Sequence, residues 1–269
     1  MSRRGRPVTA PPWPVAVPAA IALAFLALPI LGLLVRAPWG RMAQILTSPA
    51  SLDALRLSLV TSTSATVLAV VVGVPLAWVL ARGTFAGRRL LRALVTVPLV
   101  LPPVVGGIAL LLAFGRAGIV GQYLYSCCGV SLPFTTPGVV VAQTFVALPF
   151  LVITLEGALR SLDTGLEDAA ATLGAGRLTV FRRVTVPLVL PSIAAGVVLT
   201  FARALGEFGA TITFAGNLQG VTRTLPLAAY LGLETDPSEA VALSLVLLAV
   251  SVAVLVALRD RWLRTGVAS

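Results

Sequence analysis

The sequence predicts an all-α polytopic membrane protein with six transmembrane helices. Three observations carry that reading. Of the 269 residues, 58% are hydrophobic and only 11% are charged, where a soluble domain carries about 25% charged residues. The charges cluster and leave six long runs almost free of them, each near the roughly 20 residues that cross a hydrocarbon core. Those runs do not alternate apolar and polar positions, as the ~10-residue strands of a membrane barrel do.

The runs are Val15–Val35, Ala54–Leu80, Leu90–Phe114, Val139–Leu159, Leu188–Ala210 and Ala240–Leu258. They divide the chain into a polar N-terminus, 1–14, a membrane domain, 15–258, and a C-terminus, 259–269. Pro11, Pro12 and Pro14 make the N-terminus a disordered segment by composition. Three arginines precede the first run, as in a secretory leader. The run is longer than the ~7–15 apolar residues of such leaders and no small-residue cleavage site follows it, so it reads as an uncleaved first helix.

Ala37–Asp53 reads as an outer loop with an interfacial aromatic, Trp39. The connection Arg82–Arg89 is short and basic. The third run holds Pro98, Pro102, Pro103, Gly106 and Gly107. Helix breakers at that density are tolerated in a membrane only where neighbours or a cavity satisfy the freed backbone, which predicts one kinked helix packed inside the bundle. The loop Arg116–Pro137 is long enough for a short interfacial helix around Gln122–Tyr125. Its adjacent Cys127 and Cys128 are either a strained vicinal disulfide or two small residues in a turn, and the turn is preferred. No disulfide framework or zinc spacing exists. Thr211–Ser238 is the largest outer loop.

The net charge is +10, and all 20 basic residues are arginine. Fourteen fall in four places: Arg3, Arg4, Arg6; Arg82, Arg88, Arg89, Arg92; Arg160, Arg177, Arg182, Arg183; and Arg259, Arg261, Arg264. With six spans, these four segments share one side. The other side holds Arg36, Arg41, Arg56, Arg116 and Arg223, and Arg203 lies within the fifth span. The positive-inside rule puts both termini in the cytoplasm, so the basic balance is a topology signal rather than a mark of nucleic-acid binding. With no histidine and no lysine, there is no histidine base or ligand and no Gly-Lys phosphate loop. The chain is expected to be no enzyme and to hold no cofactor or metal. If ATP drives it, the ATPase is another polypeptide.

The segment 161–187 is polar and lies between two spans. Thr164 or Asp163 can cap a helix, with Glu167 three or four residues later in a capping-box-like arrangement. Glu167 and Asp168 suit the positive end of the helix dipole. Ala169, Ala170 and Ala171 favour helix with almost no side-chain bulk, and Gly174 stops it. The result is a smooth short helix that a soluble partner could approach closely. Pro187 and Pro191 mark the start of the next span.

This spacing resembles the permease signature of bacterial ABC importers: Glu-Ala-Ala, three residues, Gly, nine residues, Ile-x-Leu-Pro. The matching positions are Asp168, Ala169, Ala170, Gly174, Val184, Val186 and Pro187. Asp replaces Glu, Val replaces Ile and Leu, and the acidic residue is either Asp168 or Glu167. A second stretch is similar to the permeases of molybdate importers. It runs Phe201-Ala-Arg-Ala-Leu-Gly-Glu-Phe-Gly-Ala-Thr-Ile-Thr-Phe214, then Asn217, then Thr222-Arg-Thr-Leu-Pro-Leu-Ala-Ala-Tyr230. Pro98-Leu-Val-Leu-Pro-Pro-Val-Val105 and Phe114-Gly-Arg-Ala-Gly118, through Gly121 and Gln122, resemble the same subfamily. The resemblance spans about residues 50–258. Sulfate and thiosulfate permeases share the Ala-Arg-Ala-x-Gly-Glu core.

The resemblance implies an ABC importer permease fold in the bacterial inner membrane, with the 161–187 helix coupling to two copies of an ATP-binding subunit. It implies a second copy of the permease and a periplasmic or lipid-anchored oxyanion-binding protein. The cargo would be molybdate, with tungstate or sulfate and thiosulfate as alternatives. A coupling set of Glu167, Asp168, Ala169, Ala170, Gly174 and Pro187 follows. Arg203 and Glu207 stand four apart on one helix face, and a charge within a span faces the bundle interior or a wet cavity. They form either a structural ion pair or a gate. Thr211 and Thr213 offer hydroxyl donors along an anion path, for which Glu207 is a poor direct ligand. Gly206 and Gly209 would permit close helix approach. Arg223 is either a solvated loop charge or a docking point. Two other classes stay open: an ion-driven transporter with Glu207 as proton site, and a membrane-embedded enzyme, for which the polar cluster (Glu156, Arg203, Glu207) is thin.

Overall fold

A computed structural model describes residues 13–265, with side chains through Val254 and at Val256. Every regular element among these residues is helical. The first helix, α1 (Trp13–Val35), starts earlier than expected, so Trp13 and Pro14 are helical. The rest of the 1–14 segment lies outside the described residues. None of α1 is buried within the chain. Ala37–Asp53 is not wholly a loop, since it contains α2 (Met42–Leu46) and the start of α3 (Pro49–Arg82). Ser48 caps α3, accepting a bond from the Ser51 amide, and Pro49 sits where a missing N–H costs nothing.

The third run is where the prediction differs most. It forms two helices, α4 (Arg88–Val100) and α5 (Pro103–Phe114), which meet at a 120° bend. Pro102 and Pro103 supply no amide to carry the helix through, and proline drives the preceding residue out of the helical region; Leu101 is extended, with ψ 128°. Short α6 (Gly121–Cys128) follows, wider than the expected Gln122–Tyr125. Both cysteines lie in its last turn as free, exposed thiols rather than in a turn or a disulfide.

Helix α7 (Thr136–Ser161) is capped by Thr135 and packs between α3 and α10. The segment after it holds α8 (Gly165–Thr172), α9 (Arg177–Val180), a π turn at Phe181–Thr185, and α10 (Val186–Leu205). The run from Arg177 to Leu205 is continuous helix, so Pro187 and Pro191 lie inside it rather than at its start. The Val186 amide reaches back five residues to the Phe181 carbonyl. Pro187 has no N–H to return to the Arg183 carbonyl, which favours the wider turn.

The expected fifth span, Leu188–Ala210, ends early at Gly206. After a break comes α11 (Gly209–Ala215), and the supposed large outer loop, Thr211–Ser238, holds most of α11 and all of α12 (Leu225–Thr235). The last helix, α13 (Pro237–Thr265), carries the backbone of 259–265 as helix. Asp236 opens it: the Ser238 amide and Arg41 hold its carboxyl below the ordinary value. Among the described residues five helices are long and apolar enough to cross a membrane, and the bent pair α4–α5 makes a sixth span if counted as one.

Packing follows small residues. Ala65, Ala69 and Ala77 of α3 are fully buried, and a Cβ at Gly73 would come within 2.9 Å of Leu148. Without a hydrophobic drive in lipid, helices associate by close packing of such stripes. The buried hydroxyls of Thr61, Ser62 and Thr66 bond carbonyls one turn back, and the Ser58 hydroxyl accepts from the Leu225 amide at 2.6 Å, tying α12 to α3.

Candidate functional site

Helix α8 is an eight-residue helix with no buried residue. Asp163 opens it, accepting from the Gly165 amide at 2.9 Å. Thr164 makes no side-chain cap and the expected capping box is absent, because Glu167 turns elsewhere. The helix closes on a Schellman motif. The Gly174 amide bonds the Ala171 carbonyl at 3.0 Å and the Ala175 amide bonds the Ala170 carbonyl at 3.1 Å. Gly174 has φ +87°, the left-handed region that favours glycine. Asp168 and Ala169 are exposed, Ala170 is half-buried, and Pro187 is exposed farther along. Leu173 is 88% exposed and Leu166 51%, so apolar side chains stand out on a surface that nothing in the chain covers.

Glu167 faces inward. One Arg82 nitrogen lies 3.1 Å from both of its carboxylate oxygens, and the Thr185 hydroxyl donates to Oε1 at 2.7 Å. Arg82 ends α3, and Thr185 is buried in the π turn. Beside them the ring of Trp78 meets Phe181 edge-on, centroids 4.8 Å apart, and the Arg82 guanidinium lies 6.0 Å from the Trp78 centroid. A cavity of about 300 Å³ lies under α8 between these groups, lined also by Asp168, Ala171, Ala175 and Arg177.

A second ion cluster joins α4 to α7. Glu156 is buried, accepts from Arg92 through Nε at 2.9 Å and through Nη2, and lies 3.8 Å from Arg160. Its two arginines compensate a carboxylate that a span could not otherwise hold.

The third site is the α10–α11 break. Arg203 pairs with Glu207 at 2.7 Å, and the other oxygen of Glu207 accepts from the Ala210 amide at 2.7 Å. Glu207 is 1% exposed. Its charge is therefore held by a guanidinium and by the Ala210 amide in the first turn of α11. Thr213 donates to the Gly209 carbonyl and faces Gly107 of α5, where an added Cβ would lie 2.6 Å from the Thr213 Cβ. Thr211 is fully buried with its hydroxyl unpartnered within the chain. Gly209 packs on α5, where a Cβ would lie 2.8 Å from Pro103, but at Gly206 a Cβ would meet only the Ala202 carbonyl at 3.6 Å. Of the two expected packing glycines, only Gly209 is one. Arg223 bonds the Asn217 side chain at 2.8 Å and so holds its own loop.

Sequence reasoning missed Arg82, Thr185 and Trp78, which lie on other elements than α8. It also missed Gln143, fully buried in α7 with both amide atoms unpartnered within the chain. An amide inside the apolar run Val139–Leu159 was the available signal.

Comparison with known proteins adds three findings. Residues 69–265 match the family model described as binding-protein-dependent transport system inner membrane component. The molybdenum transport system permease protein ModB of Mycobacterium bovis is 53% identical over 255 residues, 95% of this chain and 96% of that protein. That of Escherichia coli is 44% identical over 219 residues, 81% of this chain and 95% of that protein. Among solved structures, a bacterial ABC transporter involved in import of the acidic polysaccharide alginate has a chain with TM-score 0.71 and 19% identity, covering 96% of each chain. At that identity the structural likeness speaks for the fold. Family model and relatives together cover most of the chain, segment 161–187 included, and this chain belongs to the inner membrane components of binding-protein-dependent transport systems.

Proposed function

We propose that this chain is the permease of an ATP-driven importer of molybdate, with both termini in the cytoplasm. It is a non-catalytic transport component, in keeping with its relatives. Two copies form the path, two ATP-binding subunits dock on α8, and an oxyanion-binding protein delivers cargo to the outer face. The single observation that carries the reading is α8 itself: an exposed, small-residue helix closed at Gly174, on the arginine-rich side of the membrane. Asp168 is the outward acid and the better candidate for the subunit contact, since Glu167 is engaged within the chain. The ion pair Arg203–Glu207 sits at the α10–α11 break as a gate element, with Thr211 and Thr213 on the path beyond it. Both Glu207 oxygens are bonded, which supports its role as a support rather than a ligand or a proton site.

The test is reconstitution of the chain with an ATP-binding subunit and a binding protein in liposomes. Labelled molybdate should enter only with ATP and should persist with an uncoupler. Tungstate should compete and sulfate should compete poorly. Uptake driven by an ion gradient without ATP would sink the proposal, and stronger competition by sulfate would move the cargo to the sulfate class.

A further inference from the structure

We propose that Glu167, Arg82 and Thr185 form a latch that transmits movement of α8 to the transmembrane helices, so that Glu167 is a positioning residue and not a docking contact. The inference rests on the proposed function, since it presumes that α8 is pushed by a partner.

Helix α8 buries nothing of its own, so apolar packing cannot hold it rigidly to the bundle. Two turns of chain flank it, one after α7 and one before α9. A push on a helix so loosely seated would be absorbed as local movement. Among the described residues, Glu167 is the α8 side chain that bonds other elements, and it bonds two. Arg82 lies on the last turn of α3, and Thr185 lies in the π turn that leads into α10. Both helices pack on α7, so one carboxylate joins α8 to both partners of the central helix.

The surroundings stiffen the joint. The side chains of Arg82 and Glu167 are only 24% and 17% exposed, so the pair is less screened than an open surface bridge. Trp78 is wedged between Arg82 and Phe181. The π turn has a role here too: it contributes the buried hydroxyl of Thr185, and such wide turns are frequent at functional sites. Oε1 of the carboxylate accepts from both elements, and Oε2 lies 3.1 Å from the same Arg82 nitrogen, so the group is turned into the chain rather than toward a partner subunit.

The test uses the full complex in liposomes, with two readouts: retention of the ATP-binding subunit in gel filtration, and molybdate imported per ATP hydrolysed. Glu167→Gln should retain the subunit while the imported-per-ATP ratio falls about fivefold or more, the size of a typical coupling energy. Thr185→Val, which keeps the ion pair, should lower the ratio less. Exchange of the charges, Arg82→Glu with Glu167→Arg, should recover most of the loss. Asp168→Asn should show the opposite pattern, weakening subunit retention with little change in the ratio. An unchanged ratio in Glu167→Gln, loss of the subunit from that variant, or an exchange no better than the single substitution would each overturn the latch. If Glu167→Gln does not fold, the exchange and Thr185→Val carry the test, and a wild-type ratio in Thr185→Val overturns it. A complex with no ATP-dependent uptake before any substitution would overturn the proposed function as well. Failure of the latch alone is recognised by a working complex that tolerates Glu167→Gln.

Discussion

At the scale of single residues, four glycines separate backbone need from packing need. Gly174 has φ +87° and open space around it, so any side chain there meets conformational strain of about 1–2 kcal/mol rather than a clash. Gly174→Val is expected to insert normally, by protease accessibility, and to lose most ATP-dependent uptake. Gly209→Ala meets Pro103 at 2.8 Å and should cost about 1–3 kcal/mol through overpacking of α5 on α11. Gly157→Ala, on an exposed helical position with nothing within 4 Å, should be neutral or gain about 0.5–1 kcal/mol. Thermal unfolding in detergent ranks the last two, and a Gly209→Ala protein as stable as the parent would refute the packing argument. The sequence exposed Gly174 because helix formers and an acidic start precede it. It did not distinguish Gly206 from Gly209, because only the position of α5 decides which of them is crowded.

Among the elements, three interruptions shape the molecule: the bend at Leu101–Pro102, the π turn at Phe181–Thr185 and the break at Gly206–Phe208. The π turn and the break each lie beside an ion pair, Arg82–Glu167 and Arg203–Glu207, and the helix before the bend is tied to α7 by another. In that last pair, Arg92 of α4 holds Glu156 of α7. Glu156→Leu should leave Arg92 and Arg160 without their carboxylate and loosen α4, at a cost of about 1–3 kcal/mol. The expected readout is a lower unfolding temperature together with faster proteolysis at the Gly83–Gly87 connection. Unchanged proteolysis there would mean that α4 is held by its apolar side, Leu91 and Val95, alone. The prolines of this run were visible in the sequence and rightly warned of an interruption. They did not tell a kink from a 120° bend.

For the whole molecule, the arginine distribution and the helix order agree on one topology, with α6 and the α11–α12 region opposite α8 and the basic α3–α4 connection. The chain carries its own probe of that arrangement, since its two cysteines are free and exposed on α6. A membrane-impermeant maleimide should label right-side-out spheroplasts and spare inverted vesicles. Labelling only in inverted vesicles would reverse the orientation and remove α8 from the cytoplasm.

By itself the sequence determined that the chain is helical and membrane-spanning, and that a small-residue helix closes at Gly174. These follow from composition, charge and local spacing, which act within one element or across the bilayer as a whole. Tertiary structure alone decided what Glu167 and Glu156 do. Glu167 points at Arg82, 85 positions away, and Glu156 at Arg92, 64 away, whereas the local pair Arg203–Glu207 was already legible from its spacing. A charge in or beside a membrane takes the nearest compensating group, and which group is nearest is set by how the helices pack, not by where the residues fall in the chain.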